Sequence, residues 1–197
     1  MYQDNAISAW ILENISQKSE FIGQVAKFLS NMTSWGQLWL LIMVILIVYE
    51  YIKTKKINFY LLLTIVPILL GWYLSDYHLK EWVGRARPYQ EIAGFKEYMD
   101  LIGYKYPSGF SFPSGHTVIA FASAFVLTSK DKKYAPYAYV LASLIAFSRI
   151  VLGAHYLSDV IAGMGIGTIL GSLGVLFTKF LSPKLNDLVN KKLGKTK

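Results

Sequence analysis

Residues 35–52 read WGQLWLLIMVILIVYEYI, and this stretch decides the fold. A helix needs roughly 17–25 mostly apolar residues to cross a bilayer, and Trp35 to Ile52 supplies them. Four further apolar segments follow, at about Ile57 to Tyr77, Phe112 to Ser129, Tyr134 to Ala154 and Tyr156 to Leu181. The third is Ala- and Ser-rich, with a short core from Val118 to Leu127. The whole chain of 197 residues is 54% hydrophobic and only 16% charged, where a soluble domain carries about a quarter charged residues. Five Trp and fourteen Tyr suit the aromatic belts of bilayer interfaces. These features imply an all-α, polytopic transmembrane helical bundle of about five spans in one domain, residues 1–197, with the bundle over residues 35–181.

Before the first span, Ile7, Trp10, Ile11, Ile15, Ile22, Val25, Phe28, Leu29 and Met32 recur at steps of three and four. That spacing puts them on one face of a helix, or of two helices broken near Ser16–Ser19. Glu13, Lys18, Glu20 and Lys27 fall largely elsewhere, so residues 5–32 are too polar to span. They form an amphipathic segment that lies in the interface or packs on the bundle. The start, MYQDNAISAW, lacks the basic and apolar regions of a cleavable signal peptide.

The loops orient the spans. Lys53, Lys55 and Lys56 follow the first, Lys130, Lys132 and Lys133 the third, and Lys179, Lys184, Lys191, Lys192, Lys195 and Lys197 the fifth. By the positive-inside bias these regions are cytoplasmic. Five spans then place the amino-terminal segment, residues 79–115 and the turn around Gly153 outside. The net charge of +8 is therefore loop charge, without the interleaved aromatic residues of a nucleic-acid surface. The absence of cysteine excludes disulfides, thiolate catalysis and Cys-ligated metals. Gly163, Gly167 and Gly171 recur every four residues in the fifth segment, a spacing for close helix contact rather than for a phosphate loop.

Rare polar chemistry collects on the outer side. All three arginines, Arg85, Arg87 and Arg149, are there, as are two of the three histidines, His116 and His155. Arginine offers a permanently charged planar fork that holds phosphate oxygens in pairs. Arg149 lies inside the apolar run AFSRIVLGAH, where a side chain merely snorkelling to head groups gains little. His155 and Asp159 are four apart, so on a helix they share a face, and a carboxylate there fixes the imidazole tautomer. In SFPSGHT, residues 111–117, Pro113 stiffens a turn, Ser114 offers a hydroxyl, Gly115 admits a ligand to the backbone, and His116 opens a span. Amides exposed at a helix start cradle anions.

Lys80-x6-Arg87-Pro88, then Pro113-Ser114-Gly115-His116, then Ser148-Arg149-x5-His155-x3-Asp159, resemble the three-part signature of the type-2 phosphatidic acid phosphatase superfamily. That superfamily also includes vanadium haloperoxidases and glucose-6-phosphatase. The resemblance covers about residues 35–180 with every key position present. Many relatives have six spans, and here the amino-terminal segment stands in for the first. The resemblance implies that His155 is the nucleophile, Asp159 its orienting partner and His116 the general acid. It further implies that Lys80, Arg87, Ser114, Gly115 and Arg149 bind the phosphate. No metal or other cofactor is implied, since three fixed cations stand where other phosphoryl-transfer enzymes use magnesium.

The expected function is a metal-independent membrane lipid phosphatase acting at the outer face of a bacterial plasma membrane through a phosphohistidine. Its partners are a lipid phosphate substrate and the bilayer, with no nucleic acid and no oligomeric state assigned. Undecaprenyl pyrophosphate, phosphatidylglycerophosphate, phosphatidic acid and lipid A phosphates all suit the site. Rival readings are a haloperoxidase-like oxidant and a non-enzymatic transporter or lipid-binding protein. Arg85 either contacts substrate or sits in the head-group layer, the second being favoured, while His78 is expected at the interface and Glu81 as a solvated neighbour. The aromatic-rich loop from Tyr89 to Phe110 either covers the site as a gate or rests on the bundle.

Overall fold

A computed structural model describes residues 2–34, 36–56 and 59–194. Trp35 and Ile57, the expected starts of the first two spans, and Lys195 and Lys197 of the terminal cluster lie outside the described residues. Every regular element among the described residues is helical. In order these are α1 (Tyr2–Ile11), a π turn (Leu12–Ser16), α2 (Glu20–Met32), α3 (Gln37–Thr54), α4 (Phe59–Leu74), a second π turn (Ser75–Leu79), α5 (Lys80–Val83), α6 (Pro88–Glu91), α7 (Phe95–Leu101), α8 (Gly115–Lys130), a 3-10 turn (Lys132–Tyr134), α9 (Ala135–Val151) and α10 (Leu157–Gly194).

Four helical stretches among the described residues, Gln37–Thr54, Phe59–Glu91, Lys132–Val151 and Leu157–Val189, are long and apolar enough to cross a bilayer. The third expected span is α8, of 16 residues. At ~1.5 Å per residue it covers about 24 Å, short of a hydrocarbon core of ~30 Å. It is the central helix, with Val118, Ala120, Ala122, Ala124 and Val126 all fully buried. Around it the other helices turn apolar side chains outward, among them Val44 and Ile45 of α3, Leu62 and Val66 of α4, Val140 and Leu144 of α9, and Leu173 and Phe180 of α10. In a bilayer this ring meets lipid without a hydrophobic penalty.

The glycines of α10 set how tightly it meets α8. A Cβ on Gly163 falls 2.9 Å from both Ser114 O and Thr117 Cβ, one on Gly171 falls 2.8 Å from Ala122 O, and one on Gly167 collides with Val118 O. Backbone therefore rests on backbone, as small residues permit in membranes. The consequence is local to function: the amino ends of α8 and α10 abut, and Ser114 N donates to Asp159 O at 3.2 Å.

The amino-terminal segment breaks where the periodicity allows. Ser19 caps α2 by accepting from Ile22 N, and residues 17–19 separate the two helices. One side of this segment faces outward, with Trp10, Phe21 and Phe28 exposed. The other is fastened to the bundle: Ser16 Oγ donates to Val151 O at 2.8 Å, and Lys27 Nζ donates to Ile102 O at 2.8 Å. The loop of residues 89–110 also rests on the bundle, with Phe95, Tyr98, Met99 and Ile102 buried. Gly153, at φ +63°, leaves the space that the Phe95 ring occupies.

At the far end of α8, Lys130 pairs with Glu50 of α3 at 2.6 Å, and Lys53, Lys56 and Lys133 surround the same cleft. The lysines of two separate loops thus meet at one end of the bundle, and His116 lies at the other.

Candidate active site

A cavity of about 390 Å³ opens at the amino end of α8. Lys80, Arg87, Gly115, His116, Arg149 and His155 line it, together with Asp76, Glu81 and residues 107–110. Three motifs that are distant in sequence converge there. The second π turn delivers Lys80, and the extended Arg87 delivers its side chain just before the Pro88-led turn of α6. The last turn of α9 delivers Arg149, and the amino end of α8 delivers Gly115 and His116.

Each cation is held differently. Lys80 pairs with Asp76, one π-containing turn earlier. Arg87 is 2% exposed and its fork is held by neutral oxygen: Nε donates to Gly109 O, Nη1 to Ala154 O and Nη2 to Ser108 O, each at 2.9 Å. Arg149 is equally buried; its Nη1 donates to Ser30 Oγ and, at 2.7 Å, to Tyr104 Oη, while its Nε has no hydrogen-bond partner among the described residues. Neither Arg87 nor Arg149 forms an ion pair with a carboxylate among the described residues. Buried charge without a counter-charge is costly, so two such guanidiniums facing one cavity call for a bound anion.

His155 stands between the two kinds of partner. Its Nε2 lies 3.3 Å from Arg87 Nη1, and its Nδ1 lies 3.7 Å from Asp159 Oδ2. The pair is not made along a helix, because α10 begins at Leu157. His155 sits in the preceding loop, and Asp159 folds back over the helix start to accept from Tyr156 N at 2.8 Å and from Ser111 Oγ. Burial, followed by the positive charges of Arg87, Arg149 and Lys80, pushes the His155 imidazole well below its ordinary pKa. It is therefore neutral near pH 7, as a nitrogen nucleophile must be. His116 also lines the cavity, and its Nε2 is buried without a hydrogen-bond partner among the described residues.

Two expected site residues stand behind the cavity rather than in its wall. Asp159 is fully buried beneath His155. Ser114 is fully buried too, and its hydroxyl accepts from Thr117 Oγ1 at 2.9 Å. The peptide bond Phe112-Pro113 just before it is cis.

Arg85 is not in a head-group layer. Its Nη1 donates to Asp159 Oδ1 at 2.6 Å and to Ser158 Oγ at 2.7 Å, its Nη2 donates to Asp4 Oδ2 at 2.8 Å, and its guanidinium carbon lies 4.0 Å from the Tyr156 ring centre. Two carboxylates outbid solvent for a fork with several donors. Glu81 is exposed, as expected, and borders the cavity as well. Ser30 and Asp4 carried no signal in the sequence, because a serine or aspartate in an amphipathic segment looks like any solvated polar residue, and Tyr104 was legible only as one aromatic residue of the loop after Tyr89.

A multi-pass membrane protein with this site has known counterparts. The chain belongs to the PAP2 superfamily, which it matches over residues 59–182. It is similar to Phosphatidylglycerophosphatase B of Bacillus subtilis (strain 168), with 33% identity over 103 residues, 47% of this chain and 45% of that protein. It is also similar to Bacitracin transport permease protein BcrC of Bacillus licheniformis, with 31% identity over 145 residues, 72% of this chain and 64% of that one. The matched segments thus span about half to two thirds of these relatives' lengths. Among solved structures, the crystal structure of the first transmembrane PAP2 type phosphatidylglycerolphosphate phosphatase from Bacillus subtilis superposes with a TM-score of 0.70 at 27% identity, covering 91% of this chain and 86% of that one.

Proposed function

We propose that this protein is a membrane lipid phosphatase that removes a phosphate from a lipid phosphate or lipid pyrophosphate. The observation that carries the reading is the pair of buried guanidiniums, Arg87 and Arg149, that share a cavity with two imidazoles and pair with no carboxylate among the described residues. A phosphate dianion supplies the missing charge. The family membership and the relatives' names support the same class.

The chemistry follows from the positions. His155 Nε2, the nitrogen beside Arg87, attacks phosphorus in line, and a P–N bond forms as the bond to the leaving oxygen breaks. His116 gives that oxygen a proton, then takes one from the water that cleaves the phosphohistidine. Asp159, near Nδ1, favours the positive charge that develops on the ring. Lys80, Arg87 and Arg149 neutralise the equatorial oxygens, and Gly115 lines the same cavity. Ser114 acts by fixing the start of α8. Phosphoryl transfer is mainly positioning and charge stabilisation, which this set performs without a metal.

Residues 1–197 act as one domain, with residues 5–32 at the membrane interface. The cavity lies at the outer face of a bacterial plasma membrane, because the lysine loops at the opposite end are cytoplasmic by charge bias. An acyl or isoprenyl chain stays in the bilayer while its head group reacts. A transport reading fits less well: the buried ionisable side chains among the described residues, Lys80, Arg87, Arg149, His155 and Asp159, all gather at one end rather than lining a path. The test is phosphate release in detergent with chelator from short-chain phosphatidic acid, phosphatidylglycerophosphate, farnesyl pyrophosphate and a lipid A phosphate. Turnover of at least one supports the reading; halide peroxidation with no phosphate release from any of them refutes it.

A further inference from the structure

The catalytic carboxylate is tied to the first helix of the chain. Asp4, in the first turn of α1, accepts from Arg85 Nη2 at 2.8 Å and from Ser158 Oγ at 2.6 Å, and Ser158 N approaches its Oδ1 at 3.3 Å. Arg85 in turn donates to Asp159 Oδ1. Burial opposes ionisation of Asp4, but the hydrogen bonds from Ser158 and Arg85 prevail and hold its carboxyl below the ordinary range. Two carboxylates and one guanidinium therefore stand at the start of α10, where the helix dipole also favours negative charge.

We propose that Asp4 is a positioning residue for the nucleophile, acting on His155 through Arg85 and Asp159. The charge arithmetic gives the reason. If Arg85 had Asp159 as its sole carboxylate, it would neutralise the group that must stabilise a developing imidazolium. By sharing Arg85, Asp4 leaves the cluster with a net negative charge and leaves Asp159 Oδ2 facing His155 Nδ1. Ser158 Oγ, which donates to Asp4 and accepts from Arg85, locks the angle between them. The amino-terminal segment is then part of the catalytic machinery rather than a membrane anchor alone. Its second helix makes a parallel contact, from Ser30 to Arg149.

This inference rests on the phosphatase reading, and one set of variants separates the two. Full-length wild type, Asp4→Asn, Asp4→Glu, Arg85→Lys, Ser158→Ala and His155→Ala are assayed on the substrate of the panel turned over fastest. Asp4→Asn keeps the shape and removes the charge; kcat should fall ~10–100-fold, as for loss of an orienting outer partner, with KM changed by less than about threefold. Asp4→Glu should recover most of the loss. Arg85→Lys should not act as wild type, since a point charge cannot bridge two carboxylates and a hydroxyl. If Asp4→Asn yields no folded protein, Ser158→Ala carries the test, with a smaller fall in kcat at unchanged KM. Wild-type kcat in Asp4→Asn or, in its place, Ser158→Ala, while His155→Ala is dead, overturns the inference alone. So does a loss in Asp4→Asn that Asp4→Glu shares equally together with a lowered melting temperature. A wild type that releases no phosphate overturns the phosphatase reading and the inference with it.

Discussion

Arg87 Nη1 lies 3.3 Å from His155 Nε2, and three backbone carbonyls hold its guanidinium in that place. The cation is thus aimed at the nitrogen proposed as the nucleophile before any substrate arrives. Preorganised charge of this kind needs no reorganisation in the transition state, which is where its effect on rate comes from.

Arg87→Lys tests that geometry. Lysine keeps the charge but cannot reach three carbonyls and a phosphate at once. The expected result is a fall in kcat of ~100–1,000-fold, the usual cost of one lost transition-state donor. Steady-state kinetics on the fastest substrate check it, and a lysine variant within a few-fold of wild type contradicts it.

The pH response follows from the surroundings of His155. Burial and the cations Arg87, Arg149 and Lys80 lower its pKa and outweigh a backbone hydrogen bond at Ser111 that raises it. The acidic limb of kcat/KM due to this group should lie below the ordinary imidazole value of about 6.5. Arg149→Gln removes a cation, eases protonation and should move that limb upward, whatever it does to the rate. The sign for stability is the same. On acidification the unfolded chain takes up the proton first, so stability is full above about pH 6.5 and falls as the pH drops toward the folded-state value, by at most ~1.4 kcal/mol per unit. An acidic limb that stays put in Arg149→Gln contradicts the electrostatic account.

The seam between α8 and α10 makes a paired prediction. Gly167→Ala forces a methyl group against Val118 O, whereas nothing lies within 4 Å of a Cβ on Gly165. Gly167→Ala should destabilise by ~1–3 kcal/mol through overpacking and also reduce activity, because the seam sets the distance between His116 and His155. Gly165→Ala should be neutral or slightly stabilising, since glycine is a poor helix former. Thermal unfolding in detergent distinguishes them, and equal melting temperatures contradict the close-contact reading.

Much of this was legible in the sequence, for reasons that differ residue by residue. The spans are long apolar runs, so α3, α4, α9 and α10 announce themselves. Only their ends moved: α4 continues through a π turn to Lys80, and α10 runs past Pro183 to Gly194. The convergence of Lys80, Arg87, His116, Arg149 and His155 was legible because arginine and histidine are scarce in this chain and costly in a membrane. The site's outer partners were not. Asp4 reaches the site through contacts spanning 81 and 154 residues and Ser30 through one spanning 119, and no local pattern encodes such a contact. Arg85 was misread for a related reason: a charge near a span end suits a head group as well as a buried carboxylate, and only tertiary structure decides between them.

The central claim is that two imidazoles and three cations share one phosphoryl group, with His155 as the nucleophile. It is tested most directly by brief incubation of the purified protein with a terminally labelled lipid phosphate, in chelator, followed by alkaline quench and peptide mapping. Acid-labile label should appear on the peptide containing His155. His155→Ala should carry none and should lose at least ~1,000-fold in turnover, as when a member of a cooperating catalytic set is removed. Turnover at the wild-type rate in His155→Ala, or label on any other residue, contradicts the account.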